Sequence, residues 1–426
     1  MGEHGRLKNQ ARRPMPPPTS APATSFSPYQ KFVVALLAFL QFAVILDFML
    51  MSPLGVFIMP TLSISTKQFG LAVSAYAFSA GISGFVAAGF ADRFDRKKLL
   101  MFFYAGFLLG TLWCGLAPTY ELLLAARVVT GVFGGVIGSV VLAIATDLFE
   151  VSLRGRVMGL IQTAFAASQV MGLPMGLFLA KHWDWHAPFI VLAALGLLGI
   201  FVISMKLKPV DAHLGKAQEH SPFMHLWHTI TEPRHLLAFL TVTLLATGGF
   251  MLMPFSSAFL VGNLGIDATH LPVIYFFTGI CTIVFGPMIG KSADKFGKFN
   301  VFLFGSILSI LMVVIYTHLG VTSLPVVVAV NVIMFVGIFS RMIPFQALSS
   351  QVPDATKRGA YNAISASIQQ VSGGIASVVA GHIVAQGADG RIEHFPQVGY
   401  VVVCTTLLAI GLVWKIQRQL QARTTA

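Results

Sequence analysis

The chain has 426 residues, of which 56% are hydrophobic and only 10% charged, with a formal net charge of +12 and a mean hydropathy of +0.79. That balance excludes an ordinary soluble domain, in which about 25% of residues are charged. The basic excess suits either nucleic acid or membrane topology, and the placement of the basic residues decides for topology.

Residues 1–31 are rich in Pro, Ser, Ala and Arg and contain no apolar core before a small-residue cleavage site. They read as a disordered cytoplasmic tail and not as a signal peptide. Twelve apolar runs follow, beginning near Phe32, Phe69, Lys98, Leu122, Gly155, Ala187, His235, Leu271, Phe299, Leu324, Lys357 and Val398. Each is about twenty residues long, enough at about 1.5 Å rise per residue to cross a hydrocarbon core of about 30 Å. The fold class expected is therefore an all-α membrane protein with twelve transmembrane helices. Pro53, Pro174, Pro254 and Pro344 fall inside the runs and mark bends, because neighbouring helices can satisfy the backbone groups a proline frees.

With the N-terminus inside, 23 of the 28 Lys and Arg residues fall on the cytoplasmic side. Only Lys67, Lys181 and Arg391 fall outside, and Arg127 and Arg341 lie within spans. This is the positive-inside pattern of an inner-membrane protein with both termini in the cytoplasm. Nucleic acid is not an expected partner.

A polar stretch at 206–234 carries His213, His220, His225 and His228 and divides the chain into six-span halves, 32–205 and 235–416, followed by a short tail at 417–426. The spacing of these histidines is irregular and no cysteine joins them, so a metal site is not expected. Internal repetition supports the division. Asp92-Arg93 follows the second run and Asp294-Lys295 the eighth, 202 residues apart, while Arg154-Gly155 and Arg358-Gly359 are separated by 204. Two landmarks at nearly one offset argue for duplication. Cys114, Cys281 and Cys404 lie in apolar runs without CxxC spacing, which excludes a disulfide framework.

The segment Asp92-Arg93-Phe94-Asp95-Arg96-Lys97 resembles the major facilitator signature G-x-x-x-D-R-x-G-R-R/K, with Ala88 at the first glycine position and Asp95 at the second. Its repeat, Gly290 to Lys298, keeps both glycines, with Asp294 and Lys295 at the acid–base step. Arg127-Val128-Val129-Thr130-Gly131 resembles the fourth-helix motif of that family, and Gly172-Leu173-Pro174-Met175-Gly176 a degenerate form of the fifth-helix motif of drug and sugar exporters. The likeness covers the chain after the tail and points to the arabinose-efflux-permease and drug:proton antiporter branch. It implies two pseudo-symmetric six-helix bundles with substrate bound near the midplane between them. It also implies gating roles for Asp92, Arg93, Arg96, Arg154, Asp294, Lys295 and Arg358, a part in proton coupling for Arg127, and export aided by helix bending at Gly172, Pro174 and Gly176.

The residues themselves supply the sharpest site. Asp47 lies about midway along the first run, where an acid is expensive unless it works. It can carry a proton from one side to the other, bind a cationic substrate, or hold an arginine in place. Arg341 in the tenth run and Asp47 in the first sit in opposite halves, which suggests a charge pair across the central cavity. Gln41, Gln162, Gln169, Gln346, Tyr361, Asn362 and Gln369 are further candidates for the cavity wall. No Ser-His-acid set, P-loop or metal-ligand spacing is present, so neither catalysis, a cofactor nor ATP-driven transport is expected. Secondary transport by a monomer, driven by the proton gradient and taking a small molecule, is the reading that remains. Import of a metabolite such as an organic anion by proton symport is its alternative.

Overall fold

A computed structural model describes residues 26–211, 214, 222–354 and 357–425, the side chains at 92, 151, 152, 222–225 and 423–425 excepted. Among the described residues twelve helices are long and apolar enough to span a bilayer. In the first half they are α1 (Pro28–Leu62), α2 (Thr66–Ala88), α3 (Arg96–Cys114), α4 (Tyr120–Leu148), α5 (Leu153–His182) and α6 (Ala187–Lys206). In the second they are α7 (Pro233–Gly262), α8 (Ala268–Phe296), α9 (Lys298–Thr317), α10 (Leu324–Ser349), α11 (Arg358–Ile383) and α12 (Phe395–Ala422). An even number of spans returns the chain to the side on which it began, so both ends share one side of the bundle.

Most helices begin earlier than their apolar runs, and the first four start at a polar side-chain cap and not at the first apolar residue. Ser27 and Gln30 form a reciprocal capping box before α1, and Ser65 and Gln68 form another before α2. Asp95 accepts from the backbone N–H groups of Lys97 and Lys98 at the start of α3. These side chains satisfy donors that have no partner inside the helix. The expected tail at 417–426 is instead helical as far as Thr425, continuing α12. The 206–234 stretch holds a ten-residue helix, Pro222–Thr231. Of its four histidines, His213 and His220 lie outside the described residues, as does the side chain of His225.

The internal prolines leave the spans whole. Pro53 and Pro344 are carried within α1 and α10. Pro254 sits in a tighter turn, Met253–Phe255, and Pro174 follows a π-helical turn at Ser168–Gly172. A proline lacks the N–H that would close the ladder, and a local change of helical pitch absorbs the loss.

Large apolar side chains such as Phe102, Leu109 and Leu197 face outward and are more than half exposed, as lipid requires. Between the halves, α2 packs on α11 and α5 on α8. The α2–α11 contact is close enough that a Cβ on Gly81 would stand 2.9 Å from the Ser367 carbonyl oxygen, and one on Gly70 2.7 Å from that of Ser377. Small residues at such contacts let backbones approach, which is how helices associate where no hydrophobic force drives them together. On the side away from the termini, the Thr66 hydroxyl donates to the carbonyls of Val384 (2.9 Å) and Gly381 (3.3 Å), and Phe69 meets Phe255 at 6.0 Å. Toward the termini the α5–α8 seam has no such closure: Gly155 and Gly159 on α5, and Gly286 and Gly290 on α8, have nothing within 4 Å. The halves thus join on the far side and part between α5 and α8 toward the termini.

Candidate functional site

Asp47 lies on α1 with no solvent-accessible surface. One carboxylate oxygen accepts from Arg127 Nη1 of α4 at 2.8 Å, and the other accepts from the Thr111 hydroxyl of α3 at 3.0 Å. Arg127 is likewise fully buried, its guanidinium 4.6 Å from the centre of the Tyr76 ring on α2. Four helices of the first half therefore converge on one charge pair, and cation–π contact with Tyr76 supplements the carboxylate. Nε and Nη2 of Arg127 have no hydrogen-bond partner among the described residues.

The pair connects to the opposite half through aromatic rings. Tyr76 packs on Phe48 at 5.2 Å, and Phe48, the residue after Asp47, packs on Phe250 of α7 at 5.7 Å. Packed side chains thus run without a gap from the Asp47–Arg127 pair to the interface between halves. Close approach frames the site. A Cβ on Gly131 would stand 2.5 Å from the Tyr76 carbonyl oxygen, so the α2–α4 contact depends on the absence of a side chain at that motif glycine.

The structure does not join Asp47 to Arg341. Arg341 on α10 is 5% exposed, donates from Nη1 to the Ser309 hydroxyl of α9 at 3.2 Å, and has no ion pair among the described residues. The acid is satisfied within its own half, and Arg127 prevails because α4 packs directly beside α1.

Among the other expected wall residues, Gln169 is buried in the π-helical turn and accepts from Thr282 of α8 at 3.0 Å, bridging the halves. Gln41 is half-buried, its amide oxygen 3.8 Å from where a Cβ on Gly138 would stand. Gln162, Gln346 and Asn362 are exposed and Gln369 half-buried. Tyr361 is not on an open wall: it is 1% exposed, stacked on Phe239 at 5.0 Å and hydrogen-bonded to the Ser349 hydroxyl at 2.6 Å.

The two signature loops differ. Arg96 is buried at the start of α3, with Nε 3.3 Å from Asp147 Oδ2 at the end of α4 and Nη1 3.0 Å from the Ala91 carbonyl. Arg154 caps the end of α4, donating to the carbonyls of Thr146 and Phe149. Arg93 is exposed, and the side chain of Asp92 lies outside the described residues. In the second copy Asp294 and Arg358 share the rim of a cleft of about 680 Å³ with Lys298 and Asp354, while Lys295 lies over the Phe296 ring at 5.2 Å. Gly172 and Gly176 of α5 seat Leu46 and Leu50 of α1, the leucines flanking Asp47.

Five contacts escaped the sequence reading: Thr111, Tyr76, Ser309, Asp147 and the pair formed by Glu232 and Lys357 at 2.7 Å. Hydroxyls in apolar runs carry no signal of their own, because most bond back to the preceding helical turn, as Ser306 does to Phe302.

A family model described as Major Facilitator Superfamily matches residues 37–377. The chain belongs to the Major Facilitator Superfamily. Among members of the superfamily, the chain is 27% identical to the uncharacterised MFS-type transporter YceJ of Bacillus subtilis (strain 168), over 63% of this chain and 68% of that protein. It is 25% identical, over the same shares, to Multidrug resistance protein 2 of the same organism. Among solved structures, a bacterial homologue of the human lysosomal transporter Spinster, in an inward-facing and occupied conformation, superimposes with a TM-score of 0.71 at 16% identity. That match covers 92% of this chain and 98% of the homologue. The fold is thus the major facilitator fold, and the chain is an integral membrane transporter.

Proposed function

We propose that this transporter exports a small amphipathic organic molecule across a bacterial inner membrane in exchange for protons, working as a monomer with its termini in the cytoplasm. The observation that carries the proposal is the buried Asp47–Arg127 ion pair, closed by Thr111 and stacked on Tyr76. A carboxylate in that position is stable while Arg127 holds it. Protonation removes the charge that Arg127 needs, frees the guanidinium, and shifts the packing of Tyr76, Phe48 and Phe250 across the interface. Charge neutralisation on one side and release on the other is what couples a proton to alternating access. The exporter-like glycines of α5 and the name of Multidrug resistance protein 2 support the outward direction. The basic loops support a cytoplasmic position for the termini, and with them for the opening between α5 and α8.

The test is substrate-dependent proton flux in liposomes holding wild type or Asp47→Asn, followed with a pH-sensitive dye across a panel of drugs, sugars and organic acids. Substrate moving against protons in wild type, with coupling lost in Asp47→Asn, is the expected result. Substrate and protons moving together would assign import by symport, and coupled flux that survives Asp47→Asn would remove Asp47 from the proton path.

A further inference from the structure

Among the described residues four Asp, Glu, Lys or Arg side chains are buried: Asp47, Arg96, Arg127 and Arg341. Asp47 and Arg127 neutralise each other, and Arg96 lies at a helix end beside Asp147. Arg341 is the exception, with a single hydroxyl, Ser309 Oγ, as its hydrogen-bond partner. A guanidinium taken out of water without a counter-ion is costly, and the described residues give Arg341 no carboxylate to offset that cost.

One edge of the guanidinium is left open. Nη1 is on the Cδ side of the guanidinium and is taken by Ser309. The opposite edge, formed by Nε and Nη2, presents two parallel N–H bonds, the fork that receives an oxyanion bidentately. Nε has no partner. Nη2 lies 3.8 Å from where a Cβ on Gly248 would stand, with Thr405 Oγ1 of α12 the same distance from that point. Gly249, beside it on α7, has nothing within 4 Å. This stretch of α7 thus keeps side chains off two adjoining faces, one of them beside Nη2 and bordered by Val402 of α12 at 3.6 Å.

We propose that Arg341, with Ser309 and the notch at Gly248, receives the anionic group of the substrate, making the transported class amphipathic monoanions bearing a carboxylate or a comparable oxyanion. The inference rests on the reading that an amphipathic organic molecule is transported, and it is independent of direction and of proton coupling. With Asp47 and Arg127 cancelling, the buried charge within the spans is one positive unit, which a singly charged anion neutralises.

The experiment uses the full chain in lipid nanodiscs and three probes sharing a naphthylmethyl group: 1-naphthylacetate, its isosteric amide, and 1-naphthylmethylamine. In wild type the acid binds more tightly than the amide by about tenfold or more, the factor of one charge-assisted hydrogen bond, and the amine binds least. The acid preference collapses in Arg341→Gln, survives in part in Arg341→Lys, and is lost in Gly248→Val, where the charge stays but the notch is filled. Arg341→Met raises the melting temperature of the ligand-free protein, since it removes an uncompensated charge. A merely structural arginine would lower it. Equal treatment of acid and amide by wild type, an acid preference persisting in Arg341→Gln, or a lower melting temperature in Arg341→Met overturns the proposal. Failure of the antiport reading appears instead in the direction of proton flux and leaves the acid preference in place.

Discussion

Asp47 and Arg127 meet at 2.8 Å with both side chains wholly buried, so neither can lose its partner without leaving a bare charge inside the protein. Breaking one member of such a pair costs about 3–5 kcal/mol, whereas replacing both by apolar residues of similar size is often nearly neutral. Arg127→Met is therefore expected to lower the melting temperature strongly. The double change Asp47→Leu with Arg127→Met is expected to restore most of the loss while leaving proton coupling absent. Thermal unfolding in detergent and dye-monitored flux in liposomes separate the two effects. A double variant that couples protons normally would show that the pair serves stability alone.

Close packing of α2 on α11 holds the far side shut, and it depends on glycines that admit no side chain. A Cβ on Gly70 would collide with the Ser377 carbonyl, which is main chain and cannot swing aside. Gly70→Val should open that seam and shift the population toward the alternate state. The check is labelling of a cysteine placed at Thr66 by a membrane-impermeant maleimide, in a background lacking the three native cysteines. Labelling from the far side should rise severalfold in Gly70→Val. Unchanged labelling would mean that the seam is not the gate.

Twelve spans were legible because hydropathy is a local property of each run, and Asp47 because an acid in a run of Leu, Ile, Phe and Met is costly there unless it has a partner or a task. Its partner was not legible. Arg127 and Arg341 are both arginines within spans, and the choice between them depends on how α4 and α10 are rotated against α1, which no single run encodes. The repeat sharpens the point. The starts of α4 and α10 differ by 204 residues, which sets Arg127 opposite Asn331 and Arg341 opposite Ile137. Asn331 turns its amide onto the Val327 carbonyl, and Ile137 is fully buried. The halves share a scaffold, but the first carries a neutralised arginine and the second, at a different position, one without an ion pair among the described residues. Tyr361 misled for a related reason: an aromatic hydroxyl reads as a cavity group, yet Ser349 satisfies it within the bundle.

The clamp between Glu232 and Lys357 ties the start of α7 to the start of α11 outside the membrane, and it gives a signed dependence on pH. The Lys357 ammonium at 2.7 Å holds the Glu232 carboxyl below the usual glutamate range. A depressed folded-state pKa means that the unfolded chain binds the proton more readily. The pair therefore stabilises the fold above the ordinary glutamate pKa of about 4.3, and the contribution fades as pH falls toward and through the lowered value. Wild type is expected to melt slightly higher than Glu232→Gln at pH 7, by the small margin of a partly exposed ion pair, and the gap should close on acidification. Melting curves of both proteins between pH 7 and pH 3 provide the measurement. A gap that widens in acid would reverse the sign of the argument and show that the ion pair is not what Glu232 contributes.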